Sequence, residues 1–249
     1  SVVLVLYAMI ARQPVGQRWL AGGIPGLMMA TMVVIYIVIR CRLQPELGPA
    51  LPAAEGLPLH RAFIPADATD ASARYSNGRP LIPVVHGWAH SDHSAPGDKK
   101  NEFLTPRADA TDDATRGLAR LRKLFGDSLR PMFVPPWNRI HTDVITRLPM
   151  MGYTALSTYG PRATPEAVPG LAQVNTHVDP IDWKGTRSLI AAQPLIDRAA
   201  AHLTNRHDTD EPFGLLTHHL VHDPAIWAFA EAFLTEMQLG GAIPWQMET

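Results

Sequence analysis

Residues 80–90 (PLIPVVHGWAH) join a short apolar run to two histidines. The apolar part, residues 80–85, predicts a short buried strand. His86 and His90 follow where that strand ends, and imidazoles four residues apart can bind one metal ion in a tight turn or a helix. The stretch therefore predicts a strand that carries two metal ligands at its carboxyl end. The alternative for the same spacing is a pair of surface histidines beside a turn.

Apolar and amphipathic segments alternate on both sides of this stretch. Further strands are predicted at residues 57–65, 131–135, 153–157 and 213–217, and helices at residues 112–126, 141–150, 195–205 and 224–239. Strands that alternate with helices along the chain usually pack as a parallel sheet or a barrel with helices outside. We therefore expect an α/β fold.

The first 42 residues form an apolar segment without acidic side chains. Residues 20–39 are uncharged, and a helix of that length crosses a bilayer core of about 30 Å. The alternative is a buried helix followed by a strand at residues 33–39, which are β-branched and aromatic. Residues 43–56 predict a linker and residues 57–249 a globular domain. We expect a cytoplasmic protein, or one that contacts a membrane through residues 20–39.

Composition excludes several classes of protein. The net charge is −1 and the pI is near 6.8, which argues against nucleic-acid binding because that requires a basic surface. Cys41 is the single cysteine, so an internal disulfide and a thiolate metal cluster are both excluded. The sequence contains neither Gly-x-Ser-x-Gly nor Gly-x-Gly-x-x-Gly. A serine hydrolase and a dinucleotide-binding enzyme are therefore disfavoured.

Three further motifs place polar or aromatic side chains beside predicted strands and turns. They are Pro136-Trp137-Asn138, Asp179 and Asp182 with Trp183, and Leu216-Thr217-His218. Paired prolines before Trp137 fix a rigid turn, and a histidine at a strand end is well placed for acid–base chemistry. Each motif alone has a plainer interpretation, namely a turn with a packed tryptophan, a capped turn, or a hydrogen-bonded histidine.

In chain order the four motifs resemble those of the NodB-homology polysaccharide deacetylases, or carbohydrate esterase family four, in an uncharacterised bacterial branch. The resemblance covers about residues 56–240. It implies a distorted (β/α) barrel of the glycoside hydrolase/deacetylase type, preceded here by the apolar N-terminal segment. The implied activity is metal-dependent hydrolysis of N-acetyl groups on amino sugars of a polysaccharide or oligosaccharide. A divalent ion, expected to be Zn²⁺, would bind His86 and His90.

The resemblance also implies roles for the remaining motif residues. His218 would protonate the departing amine as general acid, and Asp182 would tune a neighbouring side chain. Trp137, Asn138 and Trp183 would bind substrate, with an oxyanion-stabilising backbone N–H near Trp137. The expected partner is a carbohydrate substrate. His93, His219 and His222 have no assigned role; His93 is expected to be a hydrogen-bonded neighbour of the site, the other possibility being an added ligand.

The sequence departs from the family pattern at its first motif, an Asp-Asp pair that supplies the general base and the third metal ligand. No aspartate precedes Asp67. The adjacent pair Asp112-Asp113 follows the histidines and favours a helix start. Val134 stands where the family has an arginine that contacts and orients the aspartate matched here by Asp182. Arg139 could take that role. Two alternatives follow: a catalytically impaired domain with a binding or structural role, or a working enzyme whose N-terminal sequence has been replaced or misread here.

Overall fold

The computed structural model describes residues 57–206, 209–218 and 220–247. The apolar segment 1–42, the linker 43–56 and the predicted membrane contact at residues 20–39 lie outside the described residues. Within the described part of the chain, no helix has the length and apolar character needed to span a membrane.

Six strands form one sheet with helices around it, which confirms the α/β class. The strands are β1 (Leu59–Phe63), β2 (Leu81–His86), β3 (Met132–Val134), β4 (Ala155–Leu156), β5 (Glu166–Val168) and β6 (Leu171–Gln173). Their order is β1-β2-β3-β4-β6-β5, and all neighbours are parallel except β5, which is antiparallel to β6. Two isolated parallel bridges extend the sheet. One joins Tyr159 to Thr176, and the other joins Val178 to Leu215. Among the described strands β1 pairs with β2 alone, so these pairings do not close a barrel.

In the described part of the chain, five α-helices connect and cover the strands. They are α1 (Asp70–Ser76), α2 (Ala110–Phe125), α3 (Thr142–Ile145), α4 (Ala192–Asn205) and α5 (Pro224–Leu239), with 3-10 turns at Gly126–Ser128, Pro136–Asn138 and Pro149–Met151. In α2 the buried residues Ala114, Leu118, Leu121 and Phe125 recur every three or four positions, which gives one apolar face. Helix α5 begins with a proline, and the side chain of Asp223 accepts a hydrogen bond from the Ile226 N–H at 2.9 Å.

The main core lies between α2 and the sheet. It includes Leu118, Leu121, Phe133 and Tyr153, all almost completely buried. Burial of each such apolar side chain contributes about 1.5–3 kcal/mol. The Tyr153 hydroxyl donates to the Ala114 carbonyl at 2.8 Å, so the polar atom of this buried ring is satisfied. A second cluster, which includes Val178, packs α4 and α5 against the end of the sheet.

The C-terminal tail returns to the start of β1. The Met247 N–H donates to Nε2 of His60 at 3.3 Å, and the Trp245 ring stacks on His60 with centroids 5.2 Å apart. Arg130 donates to the Met247 carbonyl at 3.1 Å. Burial and the nearby charge of Arg130 lower the pKa of His60 to about 4. The imidazole is therefore neutral near pH 7 and can accept the hydrogen bond.

Some predicted elements differ from those observed. The predicted helix 141–150 is two short pieces, α3 and the turn Pro149–Met151, because Pro149 has no N–H with which to continue the helical hydrogen bonds. The predicted strand 213–217 makes one bridge, at Leu215. Helix α1 and the β5–β6 hairpin were not expected from the sequence.

Candidate metal and acid–base site

The four motifs meet at one edge of the sheet. Strand β2 ends at His86, and β3 ends just before the Pro136–Asn138 turn. Asp179 follows Val178, whose bridge partner Leu215 lies three residues before His218. The carboxyl ends of parallel strands share an edge, which is where α/β proteins place their sites. The fold therefore brings together side chains that are up to 132 positions apart, from His86 to His218.

The His86 ring is held in one tautomer. Its Nδ1 lies 2.9 Å from the carbonyl oxygen of Val134 on the neighbouring strand. A carbonyl can only accept, so Nδ1 carries the proton and Nε2 keeps a free lone pair. Burial lowers the pKa of His86 to about 4, with repulsion from His90 and His218 adding to it against the opposing effect of the Val134 bond. His86 is thus neutral near pH 7, as a metal ligand must be.

The His90 ring contacts both His86 and Trp137. The centroid of the His90 ring is 5.1 Å from that of His86 and 4.2 Å from that of Trp137. The φ angles of His90, Trp137 and Asn138 are +54°, +56° and +57°, in the left-handed region that side chains seldom adopt. Such backbone strain is commonest where a site fixes the direction of a side chain.

The two histidines fit part of a metal centre. The free Nε2 and the neutral state of His86 are the properties required of a zinc ligand, and the bond to Val134 is the outer contact that usually orients one. A catalytic zinc needs about three protein ligands. Across the described residues, no histidine, cysteine or carboxylate completes a set of three with His86 and His90.

Glu102, which no sequence motif marks, holds the loop that carries His90. Its side chain is 1% exposed. Its carboxylate accepts N–H bonds from Trp88 at 3.3 Å, Ala89 at 2.8 Å and His90 at 3.2 Å. Glu102 belongs to the polar stretch 98–102 (DKKNE), where nothing in the sequence distinguishes a buried carboxylate from exposed ones.

Asp179 is the carboxylate that contacts His218. Oδ2 of Asp179 lies 3.4 Å from Nε2 of His218 and accepts the indole N–H of Trp183 at 2.8 Å. Burial raises the pKa of Asp179, but the bonds from His218 and Trp183 outweigh it and the net pKa lies below the ordinary value. The edge of the Trp183 ring faces the His218 ring at 4.9 Å, and 43% of Trp183 is exposed.

Asp182 binds the backbone of the turn that follows it. Its two carboxylate oxygens accept the N–H groups of Gly185 at 3.0 Å and Thr186 at 3.1 Å, which caps the turn after Trp183. Arg139, expected as a partner of Asp182, donates instead to the Lys100 carbonyl. The contact seen with His218 is therefore made by Asp179.

The other aspartates considered from the sequence are placed as follows. Asp113 is buried in α2 and makes ion pairs of 2.6 Å with Arg107 and with Arg116. Asp112 is exposed in the first turn of the same helix, and Asp67 is exposed after β1. Two arginines therefore already occupy the Asp113 carboxylate.

A second group, His177, His202 and Glu211, has donor atoms close enough together to hold a metal ion. Its existing hydrogen bonds oppose this. Nδ1 of His177 accepts the Gly214 N–H at 3.1 Å, so the proton is on Nε2, which lies 3.1 Å from Glu211. A metal on Nε2 would displace that proton and leave Nδ1 facing a donor.

Glu211 is already neutralised by the protein. Arg206 lies 2.6 Å from its second carboxylate oxygen, and the Arg162 N–H donates to the first at 2.6 Å. Burial raises the pKa of Glu211, but the bonds from Arg162 and His177 and the charge of Arg206 lower it more. This group therefore has the contacts of a partly buried ion pair beside two tilted histidine rings.

Comparisons with known proteins give one structural similarity. No family model and no curated protein matches the chain. A crystal structure from Mycobacterium smegmatis, provisionally described as a polysaccharide deacetylase, matches 72% of this chain and 69% of its own with a TM-score of 0.47 and 15% identity. A similarity at this level does not establish family membership. We take the functional conclusion from the geometry of the carboxyl edge.

Proposed function

We propose that residues 57–249 form a metal-dependent hydrolase that removes N-acetyl groups from amino sugars of a polysaccharide or oligosaccharide. One observation carries the proposal: the tautomer of His86, fixed by Val134, leaves Nε2 free beside His90 at the edge that also holds His218. Two imidazole donors next to a hydrogen-bonded histidine–aspartate pair are the components of metal-assisted amide hydrolysis.

His86 and His90 would hold the divalent ion, with zinc the best match to two imidazole ligands. When bound, the ion would polarise the acetyl carbonyl and lower the pKa of a water molecule. Val134 keeps the His86 proton on the far nitrogen, and Glu102 holds the backbone at His90. The chain's own contribution is thus to hold the His86 ring in one tautomer and the His90 backbone in one conformation.

His218 would protonate the departing amine. Asp179 accepts a bond from Nε2 of His218, which leaves Nδ1 for the substrate. We assign this orienting role to Asp179, because Asp182 caps the adjacent turn. The amide C–N bond breaks as water adds to the carbonyl carbon, and the products are acetate and a free amino sugar.

Trp137 and Trp183 would bind the sugar from two sides. Trp137 packs against His90, and the exposed Trp183 ring is fixed by its N–H bond to Asp179. Aromatic rings held in this way present flat apolar surfaces to a sugar. Asn138, which follows Trp137, is proposed to contact substrate as well.

We further propose that the parallel array of strands closes as a distorted barrel.

A second candidate is a domain that keeps this fold without catalysis. It is favoured by the observation that, among the described residues, only His86 and His90 supply donors to the proposed centre. Such a domain would bind a carbohydrate or a metal ion but would not release acetate.

Acetate release from N-acetylglucosamine oligomers, with added zinc, separates the two candidates. The full chain is compared with His218→Ala and with His202→Ala, which removes a histidine from the other cluster. The proposal predicts turnover that falls about 10²- to 10⁴-fold in His218→Ala and persists in His202→Ala. Metal binding without turnover in the unmodified chain would favour the non-catalytic domain.

A further inference from the structure

We propose that Glu102 is a positioning residue, whose carboxylate fixes the backbone of residues 88–90 and so directs the His90 imidazole towards the metal. This inference rests on the proposed function for the identity of the ligand, but its geometric basis is separate. Three consecutive N–H groups, those of Trp88, Ala89 and His90, point at one buried carboxylate. Among the described side chains, Glu102 has no ion-pair partner, so these N–H groups are its main stabilisation.

The loop is shaped around this carboxylate. A Cβ atom at Gly87 would overlap the Glu102 carboxylate and would lie 2.6 Å from the Pro136 ring. The φ angle of Gly87 is +58° and that of His90 is +54°, so the chain makes two unusual turns within four residues. The positive φ angle of His90 is costly because this residue has a side chain. The three hydrogen bonds to the Glu102 carboxylate offset that cost.

Glu102 is itself held from the other side. The Arg107 guanidinium donates to the backbone carbonyl of Glu102 at 3.3 Å and makes ion pairs of 2.7 Å with Asp109 and 2.6 Å with Asp113 at the start of α2. The next residue, Phe103, is completely buried in the core. The carboxylate is thus attached to a rigid support, which is what a group needs if it is to fix a loop.

The substitution Glu102→Gln tests the proposal with nearly the same shape. A glutamine amide has one acceptor oxygen, and its NH₂ group would face backbone N–H donors. Some of the three hydrogen bonds from residues 88–90 are therefore lost. Glu102→Asp keeps the carboxylate on a side chain that is one methylene shorter. It is expected to retain more of the zinc affinity than Glu102→Gln. Asp92→Asn is the matched control, because Asp92 accepts N–H bonds from Ser94 and Asn101 in the same segment.

The first readout is zinc affinity, measured by competition with a chromophoric chelator. We expect a 10- to 100-fold loss in Glu102→Gln, a smaller loss in Glu102→Asp, and less than about twofold change in Asp92→Asn. An unchanged affinity in Glu102→Gln, or an equal loss in Asp92→Asn, would overturn the proposal.

The second readout is amide hydrogen exchange in the metal-free chain. The N–H groups of Trp88, Ala89 and His90 should exchange slowly in the unmodified protein and at least tenfold faster in Glu102→Gln, with core amides unchanged. If the unmodified chain binds no zinc but these amides respond as expected, the proposed function fails while the positioning role stands. If the three amides exchange equally fast in both proteins, the positioning role fails.

Discussion

The carbonyl oxygen of Val134 on β3 lies 2.9 Å from Nδ1 of His86 on β2. This bond joins the carboxyl ends of two neighbouring strands and sets the tautomer of the histidine before any ligand arrives. The side chain at position 134 takes no part in the contact.

The pairing of His218 with Asp179 predicts different effects for the two aspartates of the motif. Asp179→Asn removes the charged acceptor and should lower kcat about 10- to 100-fold with a smaller change in KM. Asp182→Asn keeps an acceptor oxygen for the turn at Gly185 and should lower kcat less than about threefold. Steady-state kinetics on both variants decide the assignment. A larger loss in Asp182→Asn would return the orienting role to that residue.

Gly87 is predicted to be intolerant of any side chain. Gly87→Ala should lower the free energy of unfolding by about 2–4 kcal/mol, because it adds an overlap with Glu102 and Pro136 to the cost of a positive φ angle. Gly78→Ala is the matched control, since Gly78 has a φ of +74° but no atom within 4 Å of its added Cβ. That variant should lose about 1 kcal/mol. Urea unfolding of both proteins checks the difference, and equal losses would contradict a packed loop at Gly87.

The contact between His60 and the C-terminal tail predicts a pH dependence of stability. The pKa of His60 falls from about 6.5 in the unfolded chain to about 4 in the fold. The unfolded chain therefore binds more protons between these values, and the folded state loses stability as the pH falls through that window. Above pH 7 His60 is neutral in both the folded and the unfolded state, and its contribution to the pH dependence vanishes.

His60→Phe should reduce this loss, because phenylalanine can stack on Trp245 but cannot take a proton. Between pH 7 and pH 5 the variant should lose about 1 kcal/mol less than the unmodified protein, allowing for the partial exposure of the site. Urea unfolding at both pH values measures it. The same loss in both proteins would show that the tail leaves His60 free to protonate.

The strands nearest the site could be predicted from the sequence. The predictions at residues 57–65, 80–85 and 131–135 contain or closely match β1, β2 and β3, because short apolar runs bounded by polar residues have few other structures available. The hairpin of β5 and β6 was missed because Glu166–Val168 is three residues long, with an exposed glutamate and no alternation.

The contacts within the site could be predicted only in part. The motif spacing identified His86, His90 and His218, but two aspartates three positions apart do not reveal which one faces His218. The turn decides that, since Gly185 and Thr186 take the carboxylate of Asp182. Glu102 could not be predicted at all, because its partners are backbone N–H groups, which have no signature in a sequence.

The most direct test of the central claim is the zinc content of the full chain after equilibration with zinc and removal of the excess. The account predicts about one zinc per chain in the unmodified protein, the same in the double variant His177→Ala, His202→Ala, and almost none in His86→Ala, His90→Ala. Zinc that is absent from the unmodified protein, or that is lost with His177 and His202 while His86 and His90 are dispensable, would contradict it.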